Sequence, residues 1–250
     1  MSEQTEQDNI WRHYQNNARD VFDLSYSRLR FLAERCVYKT RVLNIGVGSG
    51  YLEKLLAARG VEVYSLDPCA ASIARLRIEL SMGERAQQGH SSNLSVFKDE
   101  YFDKVIMTEV LEHLSGEILH STLDEVRRSL KPGGEFTGTV PYREDLKSNE
   151  VICPNCQAQF HRWGHHQSFD VASLGQVLKQ HGFIVEHLYT RSFPDFRRAG
   201  LKLFAKSIFR YILGRMGEQL IGPHLYFIAK RGDGGQRSCG DGEDALYPKL

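Results

Sequence analysis

The feature that most constrains this chain is a short apolar run, Arg41 to Ile45 (RVLNI), that passes directly into Gly46-Val47-Gly48-Ser49-Gly50. The run reads as a buried strand and the glycines as a tight turn into a helix over Tyr51–Arg59, closed by Gly60. The same alternation continues downstream. Val61–Leu66 is a second strand ending at Asp67, Ala70–Leu80 a helix, and Lys104–Met107 a third strand. Glu117–Leu130 is a helix ended by Lys131-Pro132-Gly133-Gly134, and Glu135–Val140 a strand stopped by Pro141. A helix over Val171–Gln180, a strand over Phe183–Leu188, a basic helix near Arg197–Met216 and a strand over His224–Lys230 complete the series. Strands alternating with helices predict an α/β, doubly wound, mostly parallel sheet. Ahead of it, helical periodicity from Asn9 to Tyr38 predicts an N-terminal cap region over 1–38. The main domain is expected over 39–231, broken by an insert at 143–168, with a glycine-rich disordered tail over 232–250.

Glycines after the first strand let a backbone approach a ligand closely and point helix N–H groups at it. An acidic residue closing the next strand, Asp67, can accept hydrogen bonds from both ribose hydroxyls. Together they predict a nucleoside cofactor, without choosing between a dinucleotide and another nucleoside. A plain strand-to-helix turn would also use the glycines, and Asp67 could cap the helix after Pro68; the latter role is compatible with ribose binding.

Four segments decide the matter: VLNIGVGSG, YSLDP, FDKVIMTEVLEHL and RSLKPGGEFTGTVP. In combination they resemble the class I S-adenosylmethionine-dependent methyltransferases, over roughly residues 35–190 and especially the small-molecule group that includes quinone-biosynthesis enzymes. That resemblance implies a Rossmann-like sheet, with Gly46, Gly48 and Gly50 along the methionine and ribose of the cofactor and Asp67 holding the ribose. The chain departs from the family at Asn44, where an acidic residue usually orients the cofactor's amino group. It departs again at Gly89-His90-Ser91-Ser92, where His90 replaces an aspartate near the adenine.

Glu109, Glu112 and His113 follow the fourth strand of such a sheet, at the carboxyl edge where ligands bind. His113 is the candidate general base, since imidazole titrates near neutrality; a capping or supporting role is the alternative. Glu109 is a second catalytic candidate, better suited to a structural or cofactor-side hydrogen bond.

The insert carries Cys153-Pro154-Asn155-Cys156, then His161, His165 and His166. A C-x-x-C pair with two nearby histidines suits a structural, tetrahedral Zn2+ on Cys153, Cys156, His161 and His165. Reduced cysteines in a loop, with the histidines lining the active site, are the alternative. The halves lie too close for a DNA-binding finger, and a net charge of +1 gives no reason to expect nucleic acid. The insert also resembles a string found in methyltransferases associated with glycan assembly. It follows the strand ending at Val140 and should overhang the same carboxyl edge, with Phe160, His161 and Trp163 offered to a sugar ring. The expected reaction is O-methylation of a sugar or other small-molecule hydroxyl. A quinone-precursor-like aromatic, or a non-catalytic cofactor- and zinc-binding subunit, are the other readings. Arg198, Lys202, Lys206 and Arg210 form a basic stripe on the 197–216 helix, either a solvated face or a contact for membrane or lipid-linked substrate. The polar N-terminus, the scattered cysteines and the lack of a long apolar run lead to the expectation of a cytoplasmic protein.

Overall fold

A computed structural model of the chain describes residue 10, residues 25–193 and residues 224–232. The basic helix and its stripe, Cys239, the tail beyond Gly232 and most of the cap helix fall outside the described residues. Of the last, α1 (Tyr26–Ala33) is described.

The alternating pattern folds as expected: β1 (Arg41–Ile45), α2 (Tyr51–Ala58), β2 (Glu62–Asp67), α3 (Ala70–Glu79), β3 (Ala86–Gln88), β4 (Phe102–Thr108), α4 (Gly116–Ser129) and β5 (Leu130–Pro141). A hairpin of β6 (Glu150–Ile152) and β7 (Gln159–His161) follows, then α5 (Val171–Gln180), β8 (Phe183–Arg191) and β9 (His224–Arg231). The main sheet has seven strands in the order β3-β2-β1-β4-β5-β9-β8. β1 to β5 run parallel, while β9 is antiparallel to both β5 and β8. The chain leaves β1 toward β2 on one side, and β4 lies on its other side. Between β1 and β4 is therefore the switch point at which open α/β sheets form their ligand crevice.

Both faces of the sheet are covered because successive side chains point to opposite sides. Leu43, Val105 and Met107 pack with Leu119, Leu123 and Val126 of α4 and Leu174 and Leu178 of α5. Val42 and Ile106, one position out of phase, pack with Leu29 and Leu32 of α1, Leu52 and Leu56 of α2 and Ile73 and Leu76 of α3. α5 begins with a capping box in which the Asp170 carboxylate accepts from Ser173 N–H while the Ser173 hydroxyl accepts from Asp170 N–H.

Two local readings need correction. Lys131 to Gly134 does not separate helix from strand. β5 starts at Leu130, opposite Phe102, and its register resumes at Glu135 opposite Lys104, so these residues form an irregularity inside the strand. The insert contains a hairpin, and β3 is an additional edge strand; both are three-residue strands too short to show a periodicity.

Candidate cofactor and acceptor site

A cavity of about 1170 Å³, including its open mouth, lies at the switch point. Its floor is the β1–α2 loop, with Gly46 and Gly48 in left-handed backbone conformations. Gly46 has no room for a side chain: a Cβ there would sit 2.7 Å from Val110 Cγ2. Gly50 does not line the cavity; it starts α2 with a φ of 77°. The Arg75 guanidinium fixes the loop from behind by donating to the Gly48 carbonyl at 2.8 Å.

Asp67 ends β2 in the cavity wall, almost wholly buried. One carboxylate oxygen accepts the Val47 N–H at 2.7 Å and the other the Cys69 N–H at 2.8 Å. The side chain thus ties the glycine loop to the next helix. Its place in the cavity wall at the end of β2 suits it to a ribose diol as well. Gly89, His90 and Ser91 border the cavity beyond it. A buried carboxylate, a glycine floor and apolar walls fit a nucleoside cofactor.

Asn44 lies behind the loop rather than in the cavity. From the end of β1 its amide donates to Glu53 at 2.7 Å and to the Gly46 carbonyl at 3.2 Å. Glu53 also accepts from the Ser65 hydroxyl at 3.0 Å. Burial, opposed by the hydrogen bonds from Asn44 and Ser65, raises the Glu53 carboxyl from 4.5 to about 7. The folded state therefore holds this proton more tightly than the unfolded state. Its contribution is complete below pH 4.5 and is lost as pH rises to about 7, a total of roughly 3 kcal/mol. Glu53→Gln should flatten this part of the stability profile in urea titrations across that range; an unchanged slope would assign the dependence to another group.

Glu109 stands just past β4 with a left-handed φ of 54°, rare for a residue with a side chain. Burial would raise its pKa, but the charges of Arg28 at 3.6 Å and His224 at 3.3 Å, with the Thr139 hydroxyl at 2.9 Å, hold it well below the carboxylate range. A carboxylate so paired is a poor base.

His113 does reach the cavity. Burial first, then the neighbouring His165, lowers its pKa to about 3. Its Nδ1 lies 3.1 Å from the Gly164 carbonyl, which can only accept, so the proton is on Nδ1 and the lone pair on Nε2. Glu112 is buried, and burial together with the Glu109 charge holds its pKa well above the usual value.

The insert is stapled to this segment as its position in the chain suggests. His166 and Gln167 N–H groups donate to the Glu112 carbonyl at 2.8 and 3.1 Å, and the Gln167 amide donates to the Leu114 carbonyl. It meets the cavity through His166, whereas Phe160, His161 and Trp163 do not line it. Nor do the four expected zinc donors converge. Cys153 and Cys156 sit at the tip of the β6–β7 hairpin, which the Cys153 N–H closes onto the Ala158 carbonyl. His161 pairs with Glu150 at its base. Three residues of strand separate the two levels, about 10 Å at the usual rise. His161 and His165 instead group with Glu144, a residue the sequence pattern did not single out.

A glycine loop at the switch point, with a buried acid closing the adjacent strand and the Glu109–His113 segment opposite, is the arrangement expected of the class I methyltransferase fold. Residues 11–188 match the family model described as a methyltransferase domain, and the chain belongs to that family. Among curated relatives, the ubiquinone biosynthesis O-methyltransferases of Pseudomonas syringae and Hahella chejuensis are 28% and 30% identical over 135 residues. The match covers 52% of this chain and 57% and 56% of theirs, so the chain spans somewhat over half the length of these relatives. Among solved structures, the Burkholderia thailandensis 1,6-didemethyltoxoflavin-N1-methyltransferase, with its substrate and S-adenosylhomocysteine bound, shares the fold. It superposes with a TM-score of 0.63 at 18% identity, covering 92% of this chain and 90% of that one. No helix among the described residues is long and apolar enough to cross a membrane.

Proposed function

We propose that this protein transfers the methyl group of S-adenosylmethionine to a hydroxyl oxygen of a small molecule. The observation that carries the proposal is one cavity lined both by the glycine loop and Asp67 and by His113 and His166. When bound, the cofactor supplies an activated methyl on a sulfonium. The residues then have positional tasks: Asp67 holds the ribose, the loop carries the methionine portion, and His113 faces the acceptor hydroxyl. Holding the two reactants in line accounts for on the order of 7–11 kcal/mol of rate enhancement in such reactions. Val47, Val110, Leu114 and Ile118 make the walls largely apolar. That surface suits a flat or partly apolar acceptor, and the names of the curated relatives favour an aromatic hydroxyl over a sugar.

His113→Ala should lower kcat by roughly 100-fold or more while leaving cofactor affinity nearly unchanged. Single-turnover assays with calorimetry distinguish this from a loss of binding; equal rates would remove His113 from the acceptor side. The acceptor class is tested by incubating the protein and methyl-labelled cofactor with separated aromatic, glycan, lipid-linked and RNA fractions of a cell extract. Label in the aromatic fraction is expected. Label confined to the glycan fraction would reverse the acceptor assignment and leave the methyltransferase reading standing.

A further inference from the structure

We propose that Cys153 and Cys156 bind a zinc ion shared with the same pair from a second copy of this chain, so that four thiolates join two protomers. The site is the tip of the insert, outside the cavity, and it stands apart from the methyltransferase reading.

The local fold builds a chelating turn. Cys153 follows β6, and its carbonyl accepts the Gln157 N–H at 2.9 Å while its own N–H donates to the Ala158 carbonyl at 2.9 Å. Gln157 closes the turn in the left-handed region, with a φ of 58°. The N–H groups of Cys156 and Asn155 converge on the Cys153 sulfur, and the Cys156 thiol lies within hydrogen-bonding reach of it. Two thiolates on a tetrahedral zinc, with bonds of ~2.3 Å, stand ~3.8 Å apart, a spacing of the same order. Backbone N–H groups aimed at the sulfur supply the outer hydrogen bonds that orient a metal ligand.

Two thiolates are half a tetrahedral site. Among the described residues, neither group of three close donors includes a cysteine. His161 is the nearest imidazole along the hairpin, and it is engaged elsewhere. Its Nδ1 accepts the N–H groups of Trp163 at 3.3 Å and His165 at 3.0 Å, and its Nε2 lies 3.5 Å from Glu144. Both nitrogens are turned to the base of the insert, away from the thiols.

A second copy completes the site by symmetry. With a two-fold axis through the ion, the same two residues return as the missing ligands, and one patch serves both sides. The tip permits that approach. Residues 154–160 are all exposed, and none of the residues from Val151 to Phe160 is Asp, Glu, Lys or Arg. Two tips therefore meet without like-charge repulsion. Val151 pairs with Phe160 on one face of the hairpin and Ile152 with Gln159 on the other. Ile152 and Phe160 are exposed, apolar flanks for a neighbouring tip to cover. A two-stranded hairpin is marginal alone, and Zn–S bonds across the two tips fix both. Thiolate ligands select a thiophilic ion. On binding, each thiol loses its proton to water and its sulfur takes the ion instead.

The test is sedimentation velocity of the full chain purified without added metal, with elemental analysis of the same sample. A dimer holding about one zinc per two chains is expected. A chelator should release monomers, and zinc should restore the dimer with a reductant present. The double variant Cys153→Ser, Cys156→Ser should stay monomeric in zinc and bind S-adenosylmethionine as the parent does, which shows that it is folded. Cobalt in place of zinc should give thiolate-to-metal charge transfer that the double variant lacks. A chain that stays monomeric with zinc, whether it holds one ion or none, would overturn the proposal. So would a dimer that resists the chelator and yields to reductant, or a zinc-dependent dimer of the double variant. A zinc-linked dimer that fails to bind S-adenosylmethionine would leave this site standing and remove the methyltransferase reading.

Discussion

Asp67→Ala is expected to weaken S-adenosylmethionine binding by about 100-fold or more, because in the proposed function the carboxylate has two tasks at once. It would lose two charge-assisted hydrogen bonds to the ribose, each worth roughly 1.5–3 kcal/mol. It would also leave the Val47 and Cys69 N–H groups without the acceptor that now holds them at 2.7 and 2.8 Å. The loop would lose its fixed position, so the penalty exceeds that of the ribose contacts alone. Asp67→Asn, which keeps an acceptor oxygen, should recover part of the loop order but little affinity. Calorimetric titration measures both variants, with chemical denaturation to establish that they fold. Unchanged affinity in Asp67→Ala would remove this residue from the cofactor site.

The second large effect is on stability. Gly138 faces Met107 across the β4–β5 pair, and a Cβ there would lie 1.9 Å from the Met107 carbonyl oxygen. The obstructing atom is backbone in the centre of the sheet, so no rotamer change relieves the clash. Gly138→Ala should cost about 3 kcal/mol or more and lower the urea midpoint without altering cofactor chemistry directly. A variant as stable as the parent would show that β4 and β5 separate more easily than their register suggests. Substitution at exposed Gly116, where a Cβ meets nothing within 4 Å, is the natural control.

What could be read from the sequence was largely local. The β1 glycine loop, the acid ending β2 and the span of α5 all follow from neighbours in the chain, and each lies where periodicity and turn chemistry place it. Spatial grouping was less legible. Cys153, Cys156, His161 and His165 are close in sequence, yet an intervening hairpin carries the thiols away from the imidazoles. The carboxylate that does meet His165 belongs to Glu144, at the other end of the insert, and no short motif joins the two. Asn44 matched a family position, but its amide serves the buried Glu53 carboxyl. Glu109 drew attention as a conveniently placed acid, while the groups that neutralise it, Arg28 and His224, stand at opposite ends of the described chain. A pattern within one segment cannot report such pairings.

The central claim is that the switch-point cavity binds S-adenosylmethionine. Calorimetric titration of the full chain with S-adenosylmethionine, repeated in the presence of S-adenosylhomocysteine and in parallel with NADH, tests it most directly. The account predicts saturable binding of about one cofactor per chain, competition by S-adenosylhomocysteine and no binding of NADH. Binding of NADH with none of S-adenosylmethionine would contradict it.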